Sequence, residues 1–174
     1  WLDAQPFKRF SFSKSLGGWC EHRVKVEKSS IREIITDTPI SLEEVLPLGE
    51  KDQPQDGYTI DWPTGAHQAL LKLIQSSDWK GLFMTFDYGF HTTSEILENK
   101  SMGSGRAYKN HVQYNNILQT PGEQDITCHL CWEHIIDLLN QNAFQHVSNH
   151  SQESFLIKLY FMEITKQLHK FVML

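Results

Sequence analysis

The chain has 174 residues, a hydrophobic fraction of 40% and a formal net charge of -5. This composition can bury one core, so we expect a single domain. The charges form no long runs, which argues against a nucleic-acid partner. No apolar run is long enough to cross a bilayer or to form a signal sequence, so we expect no membrane insertion. The odd number of cysteines, three, argues against a disulfide framework and favours a reducing compartment.

The first segments predict a β-hairpin over residues 7–26. Apolar and polar side chains alternate in the manner of strands over Phe7 to Ser13 and Trp19 to Val26, and glycines suited to a turn lie between the two segments.

Residues 47–57 mix prolines and glycines with charges and show no periodicity. We therefore expect a solvent-facing, disordered loop there.

A helix is predicted from Thr64, where the apolar side chains begin to recur along one face. The apolar run 82–86 follows, and it predicts a strand buried on both sides of a mostly parallel sheet. Asp87, Tyr88 and Gly89 would then lie at the carboxyl end of that strand. In open α/β sheets this edge is where ligands bind.

The second half of the chain repeats the alternation of helix and strand. A helical stripe over 132–139 precedes a predicted strand over 144–147. From Gln152 onward we expect a strand that gives way to a helix. The alternation favours an α/β fold over an all-β fold.

Several polar side chains are candidates for a site. Asp125, Thr127 and His129 alternate along an extended segment, so their side chains are predicted to share one face. Imidazole titrates near neutrality, which favours a functional role over a purely structural hydrogen-bond network. Arg106 and His111 lie in a segment rich in glycine and asparagine, which suits a mobile substrate loop or an ordinary solvated one.

The pair Cys128 and Cys131 has the spacing of zinc ligands. His111 or His134 would have to complete the set, because a structural zinc site needs four ligands. We interpret the cysteines as small, partly buried strand residues and predict no metal site.

A series of ordered segments carries a family resemblance. They are Leu2–Pro6, Trp19–Val24, Phe86–Gly89, Gly103–His111 and Pro121–His129. The order and the residues of these segments resemble the carboxyl-terminal half of the MidA-like methyltransferases. These are class I S-adenosylmethionine-dependent enzymes that include a mitochondrial complex I assembly arginine methyltransferase.

The resemblance implies an α/β fold with a partial Rossmann-like class I methyltransferase sheet, interrupted by the β-hairpin over 7–26 and by helical insertions. Such enzymes bind their cofactor through a glycine-rich turn and an acidic residue further along the chain. Neither Gly17-Gly18 nor Gly103 and Gly105 have the preceding apolar strand that such a turn requires. Residues 1–174 are therefore expected to be the carboxyl-terminal half of a domain whose cofactor-binding half is absent.

The function implied by the resemblance is methyl transfer from S-adenosyl-L-methionine to an arginine nitrogen in a protein substrate of the respiratory-complex type. The isolated chain is expected to be inactive. The main alternative is a non-catalytic fragment or protein-binding module that does not bind the cofactor by itself. A hydrolase using Ser104 or Thr127 as its nucleophile is disfavoured because no Gly-x-Ser-x-Gly elbow is present.

The expected location of the protein is the bacterial cytoplasm or the mitochondrial matrix, and a homodimer is one expected oligomeric state.

The resemblance also assigns roles to residues. Asp3, Asp125 and His129 are the expected catalytic residues. Asp3, Ala4 and Pro6 are the expected cofactor contacts. The expected substrate contacts are Asp87, Tyr88, Gly89, Arg106, His111 and Thr127. For Asp3 and Asp87 a turn-stabilising role is the competing interpretation.

Overall fold

The computed structural model describes most of the chain. The described residues are 1–28, 30–41, 54–76, 80–142 and 144–172. Most of the predicted loop over 47–57 lies outside them.

The amino-terminal part forms a four-stranded antiparallel sheet. Its strands are β1 (Lys8–Ser13), β2 (Gly18–Glu27), β3 (Ser30–Ile35) and β4 (Thr59–Trp62), in the order β3-β2-β1-β4. The predicted hairpin is present, since β1 pairs with β2 and Phe10 lies opposite Glu21. Gly17 adopts a φ of 70° in the connecting turn, a conformation that favours glycine.

Two helices cover the next part of the core. Helix α1 (Thr64–Gln75) begins where the sequence predicts, and its buried side chains include Ala66 and Leu70. Helix α3 (Trp132–Gln141) also confirms a predicted helix and buries Ile135. Both helices join one apolar cluster with Leu2, so this side chain near the start of the chain lies inside the core.

The predicted buried strand over 82–86 is wrong. This segment has no regular secondary structure, and Leu82, Met84 and Phe86 are exposed. A strand that is buried on both faces needs neighbouring strands, and the described part of the chain pairs none with these residues.

A short parallel pair follows that segment. β5 (Gly89–Phe90) pairs in parallel with β9 (Leu130–Cys131). A Cβ atom on Gly89 would lie 2.5 Å from the carbonyl oxygen of Leu130, so the close approach requires glycine. The carboxyl end of the predicted strand thus contributes to a sheet although its apolar part does not.

Between these two strands lie a helix and a small sheet. Helix α2 is Thr93–Asn99, and the strands are β6 (Arg106–Lys109), β7 (Val112–Tyr114) and β8 (Asp125–Thr127). They form an antiparallel sheet in the order β7-β6-β8. The fold is therefore mixed α/β.

The carboxyl-terminal predictions are partly wrong. Residues 144–150 contain no strand, and α4 (Gln152–Val172) is helical from its first residue. Apolar side chains at 155, 156 and 159 fit a helical spacing, and a strand would need a neighbour that the described residues do not offer here. Among the described residues, no helix combines the length and apolarity needed to span a membrane.

Candidate active site

Asp87 anchors the start of the chain. Its Oδ2 accepts hydrogen bonds from the backbone N–H groups of Leu2 at 2.8 Å and Asp3 at 3.2 Å. Its Oδ1 accepts from the backbone N–H of Tyr88 at 2.9 Å. Only 2% of the Asp87 side chain is exposed. Backbone amides occupy both oxygens, as in a structural carboxylate, and the predicted contact with substrate stays a prediction.

This anchor brings Asp3 to the end of β8. The carbonyl oxygen of Asp3 accepts a hydrogen bond of 2.8 Å from the backbone N–H of Cys128. The next residue is His129, and the Asp3 carboxylate acts electrostatically on its imidazole. Asp3, Asp87 and His129 therefore lie at one junction, although more than a hundred residues separate the first from the last.

His129 has the environment of a neutral imidazole. Burial lowers its pKa, and the charges of Lys100 and Arg106 lower it further against the opposing effect of Asp3. The ring packs edge-on against Phe90 with centroids 5.4 Å apart. Among the described residues, its buried Nδ1 has no hydrogen-bond partner. A neutral ring with a free nitrogen can accept a proton.

The other predicted catalytic residue lies on the small sheet. Asp125 is exposed on β8, opposite Tyr108 of β6. Thr127 is half-buried on the same strand, opposite Arg106. His129 lies beyond the end of β8, so the predicted alternation along one strand holds for Asp125 and Thr127 alone.

Two predicted substrate contacts have local roles. Arg106 donates from Nη1 to the backbone carbonyls of Gly103 at 3.3 Å and Gly105 at 2.8 Å. This side chain therefore folds back onto its own loop. His111 lies exposed in the β6–β7 turn, where it and Asn110 adopt positive φ values of 62° and 52°.

The remaining predicted contacts lie near the surface. Ala4, Pro6 and Tyr88 are exposed. The carbonyl oxygen of Pro6 accepts a 2.7 Å hydrogen bond from the backbone N–H of Gly65, which ties the first segment to the beginning of α1.

A buried ion pair was not identified from the sequence. Arg9 donates from Nε to Asp61 Oδ1 at 2.7 Å and from Nη2 to Oδ2 at 3.1 Å. Asp61 is 1% exposed and also accepts from the backbone N–H of Gly105 at 2.6 Å. Burial alone would lower the pKa of Arg9, but its hydrogen bonds and the charge of Asp61 raise it. A lone acid between Ile60 and Trp62 is the signal that could have revealed this pair.

The two closely spaced cysteines point to different neighbours. The Sγ of Cys128 lies 3.4 Å from Ser104 Oγ, and burial raises the pKa of this thiol. The Sγ of Cys131 lies 3.5 Å from Thr93 Oγ1, and burial raises the pKa of this thiol to about 11. The sequence pair therefore does not form one two-sulfur site.

An apolar cleft lies beside the junction. Its volume is about 520 Å³, and its lining includes Leu82, Met84, Phe86, Trp132 and Phe155.

The residues present match a methyl-donor site only in part. The strand-to-helix turn between β4 and α1 contains Gly65, which is packed against Pro6. In the described residues no glycine-rich turn joins a strand to a helix beside an acid that could bind a ribose.

Comparison with known proteins gives a family and a fold. Residues 1–150 match a family model described as “Putative S-adenosyl-L-methionine-dependent methyltransferase”. The chain is similar to an uncharacterized protein from Burkholderia thailandensis, with 21% identity and a TM-score of 0.67 over 82% of this chain and 37% of that one. No curated protein matches it.

A second solved structure is also similar. It is a “likely methyl transferase” from Burkholderia thailandensis bound to S-adenosyl-homocysteine, with 20% identity and a TM-score of 0.63. The alignment covers 82% of this chain and 36% of that one. The chain thus spans little more than a third of the length of either structure.

Proposed function

The chain belongs to the family described as “Putative S-adenosyl-L-methionine-dependent methyltransferase”, and we propose that it forms the acceptor-side wall of such an enzyme. In this proposal a cofactor-binding half, outside these 174 residues, completes a Rossmann-like domain of the MidA-like class. S-adenosyl-L-methionine is the proposed cofactor of the intact protein, where it would supply an electrophilic methyl group.

One observation carries the proposal. Asp87 holds the backbone of Asp3 so that the Asp3 carboxylate lies near the neutral imidazole of His129. Asp87 and His129 lie just before the first residues of β5 and β9, so an acid and an imidazole lie together at the amino end of this parallel pair. The Phe90 ring packs edge-on against the His129 imidazole and covers one side of it.

We propose an arginine side chain of a protein as the methyl acceptor. A guanidinium remains protonated at neutral pH, so the enzyme must orient a cation. The Asp3 carboxylate would bind it through charge-assisted hydrogen bonds. The cofactor would supply the methyl group when bound, and a guanidinium nitrogen that becomes methylated must lose one proton. His129 would accept that proton, and the exposed Asp125 would attract the cationic substrate.

The alternative is a non-catalytic module that binds another protein. Its support is the apolar segment 82–86, whose exposed side chains line the cleft, together with the incomplete donor set of the described residues. Exposed apolar patches of this kind mark protein interaction sites.

Calorimetry distinguishes the proposed enzyme from the non-catalytic binding module. The 174-residue chain and a protein extended at its amino terminus by the cofactor-binding half would each be titrated with S-adenosyl-L-methionine, then assayed for transfer of labelled methyl groups to protein arginines. We expect binding and transfer for the extended protein alone. Tight binding by the 174 residues would contradict the proposed division. Binding without transfer to arginine would contradict the proposed acceptor.

Site variants of the extended protein refine the assignment. Asp3→Asn should raise KM for the cationic acceptor, and His129→Gln should lower kcat with less effect on KM. Glu27→Gln, at the exposed end of β2, is the matched control and should change neither.

A further inference from the structure

Three potential metal ligands meet where β9 passes into α3. The Sγ of Cys131, a carboxylate oxygen of Glu133 and an imidazole nitrogen of His134 lie within 4.8 Å of one another. Cys131 is fully buried, whereas the side chains of Glu133 and His134 are 36% and 20% exposed. The cluster therefore has a buried sulfur and a side open to ions from solvent.

Its spacing fits a tetrahedral ion. The Oε1 of Glu133 lies 3.4 Å from the Nε2 of His134. Oxygen and nitrogen ligands at about 2.0–2.2 Å from tetrahedral zinc are themselves about 3.4 Å apart. The corresponding separation from sulfur is about 3.6 Å. Since the ligand atoms lie within 4.8 Å of one another, the Cys131 sulfur would have to move inward by about 1.2 Å at most.

The three groups already converge on one point. The Thr93 hydroxyl lies 2.5 Å from Glu133 Oε1, 3.0 Å from His134 Nε2 and 3.5 Å from Cys131 Sγ. The backbone N–H of Thr93 also donates to Glu133 Oε1 at 3.1 Å. This hydrogen bond orients the carboxylate, as outer-shell donors do in metal sites.

A second imidazole lies beside the cluster. In the part of the chain that the structure describes, the buried Nε2 of His67 has no hydrogen-bond partner, and its ring centroid is 6.1 Å from that of His134. The Trp62 ring contacts both histidines. A water molecule on a bound ion would supply the hydrogen bond that His67 lacks.

We propose that Cys131, Glu133 and His134 bind zinc, with water as the fourth ligand. Thiolate, imidazole and carboxylate are the three ligand types of protein zinc sites, and three protein ligands plus water is a common zinc arrangement. Binding displaces the proton of the Cys131 thiol. The sequence pattern of the proposed ligands is Cys-x-Glu-His. The proposal revises the prediction of no metal site, because that prediction considered Cys131 only as the partner of Cys128.

Cobalt titration of the chelator-treated 174-residue chain tests the site. We expect one equivalent of Co²⁺ to produce a thiolate-to-cobalt charge-transfer band, which Zn²⁺ then abolishes. Cys131→Ser and His134→Gln should weaken binding more than about 100-fold, beyond the 10–100-fold typical of outer-shell changes. Circular dichroism would verify that each variant is folded. A folded parent chain with no band and no zinc-dependent rise in Tm would overturn the proposal.

A double variant assigns the sulfur without altering the cluster. Cys20→Ser combined with Cys128→Ser leaves Cys131 as the sole thiol of the chain. Retention of the cobalt band in this variant supports Cys131 as the ligand, and loss of the band from the folded double variant overturns it. Thr93→Val removes the shared hydroxyl but no ligand, so it should keep the band. A cluster that serves only as a hydrogen-bond network would give no band in any of these proteins.

Discussion

The surroundings of the two buried acids Asp61 and Asp87 differ sharply from the region formed by residues 82–86 and α4. Both carboxylates are buried and hydrogen-bonded, and the neighbouring Leu2 and Ile60 are fully buried. In the second region Leu82 is 85% exposed, and several apolar side chains of α4 are exposed as well. Both regions are rich in apolar residues, so hydrophobicity alone did not decide which of them became core.

The difference lies in the available partners. The apolar residues around Asp61 and Asp87 pack against side chains of β1, β4, α1 and α3, whereas no strand in the described part of the chain pairs with 82–86. The family match ends at residue 150, and α4 begins at Gln152. Apolar surface becomes core only where another element covers it.

The largest effect is expected from Asp61→Asn. The change leaves the partly buried Arg9 guanidinium with only the exposed Glu33, 3.7 Å away, as a counter-charge. We therefore expect a loss of about 3–5 kcal/mol in the free energy of unfolding, measured by denaturant titration. Glu27→Gln, which affects an exposed pair with Lys25 and Arg32, should leave the unfolding midpoint unchanged. Equal effects of the two variants would contradict the contrast.

A matched leucine pair compares the two regions directly. Leu70→Ala removes a fully buried side chain of α1 and should cost about 2–5 kcal/mol. Leu82→Ala should change the free energy of unfolding by about 0.5 kcal/mol or less. A large loss for Leu82→Ala in the same denaturant titration would mean that residues 82–86 are packed in solution.

A smaller effect is expected at the parallel pair. Gly89→Ala places a methyl group against the Leu130 carbonyl and should cost about 1–3 kcal/mol through overpacking. Gly17→Asn is the control, because no atom would lie within 4 Å of its Cβ and asparagine tolerates a positive φ. Thermal unfolding of both variants measures the difference. Equal Tm values for the two would show that β5 and β9 separate readily.

The smallest effect concerns protonation at the junction. The pKa of His129 is lowered on folding, so the folded state binds fewer protons than the unfolded state. Its contribution to stability is therefore complete above the ordinary histidine pKa of about 6.5 and is lost as the pH falls toward the folded pKa. NMR titration in chelator should show the lowered pKa, and Lys100→Gln should raise it. An unchanged pKa in Lys100→Gln, as expected for the control Lys14→Gln, would contradict the assigned cause.

Parts of the candidate site were predictable because they belong to short, ordered motifs. Asp3, Asp87 and His129 were selected in this way, and the structure brings them to one junction. The Arg9–Asp61 pair was missed because its partners are 52 residues apart and lie on different strands. The Cys131, Glu133 and His134 cluster was missed although its residues nearly adjoin, because their convergence depends on Thr93 of another helix.

Local patterns alone determined the β1–β2 hairpin and the helices α1 and α3, since turn glycines and a 3.6-residue apolar period act within a few residues of the chain. Tertiary structure decided whether 82–86 and 144–147 became strands, because a strand forms its hydrogen bonds with another strand. It also decided which acids became structural anchors, since a buried carboxylate is stable only where distant donors reach it.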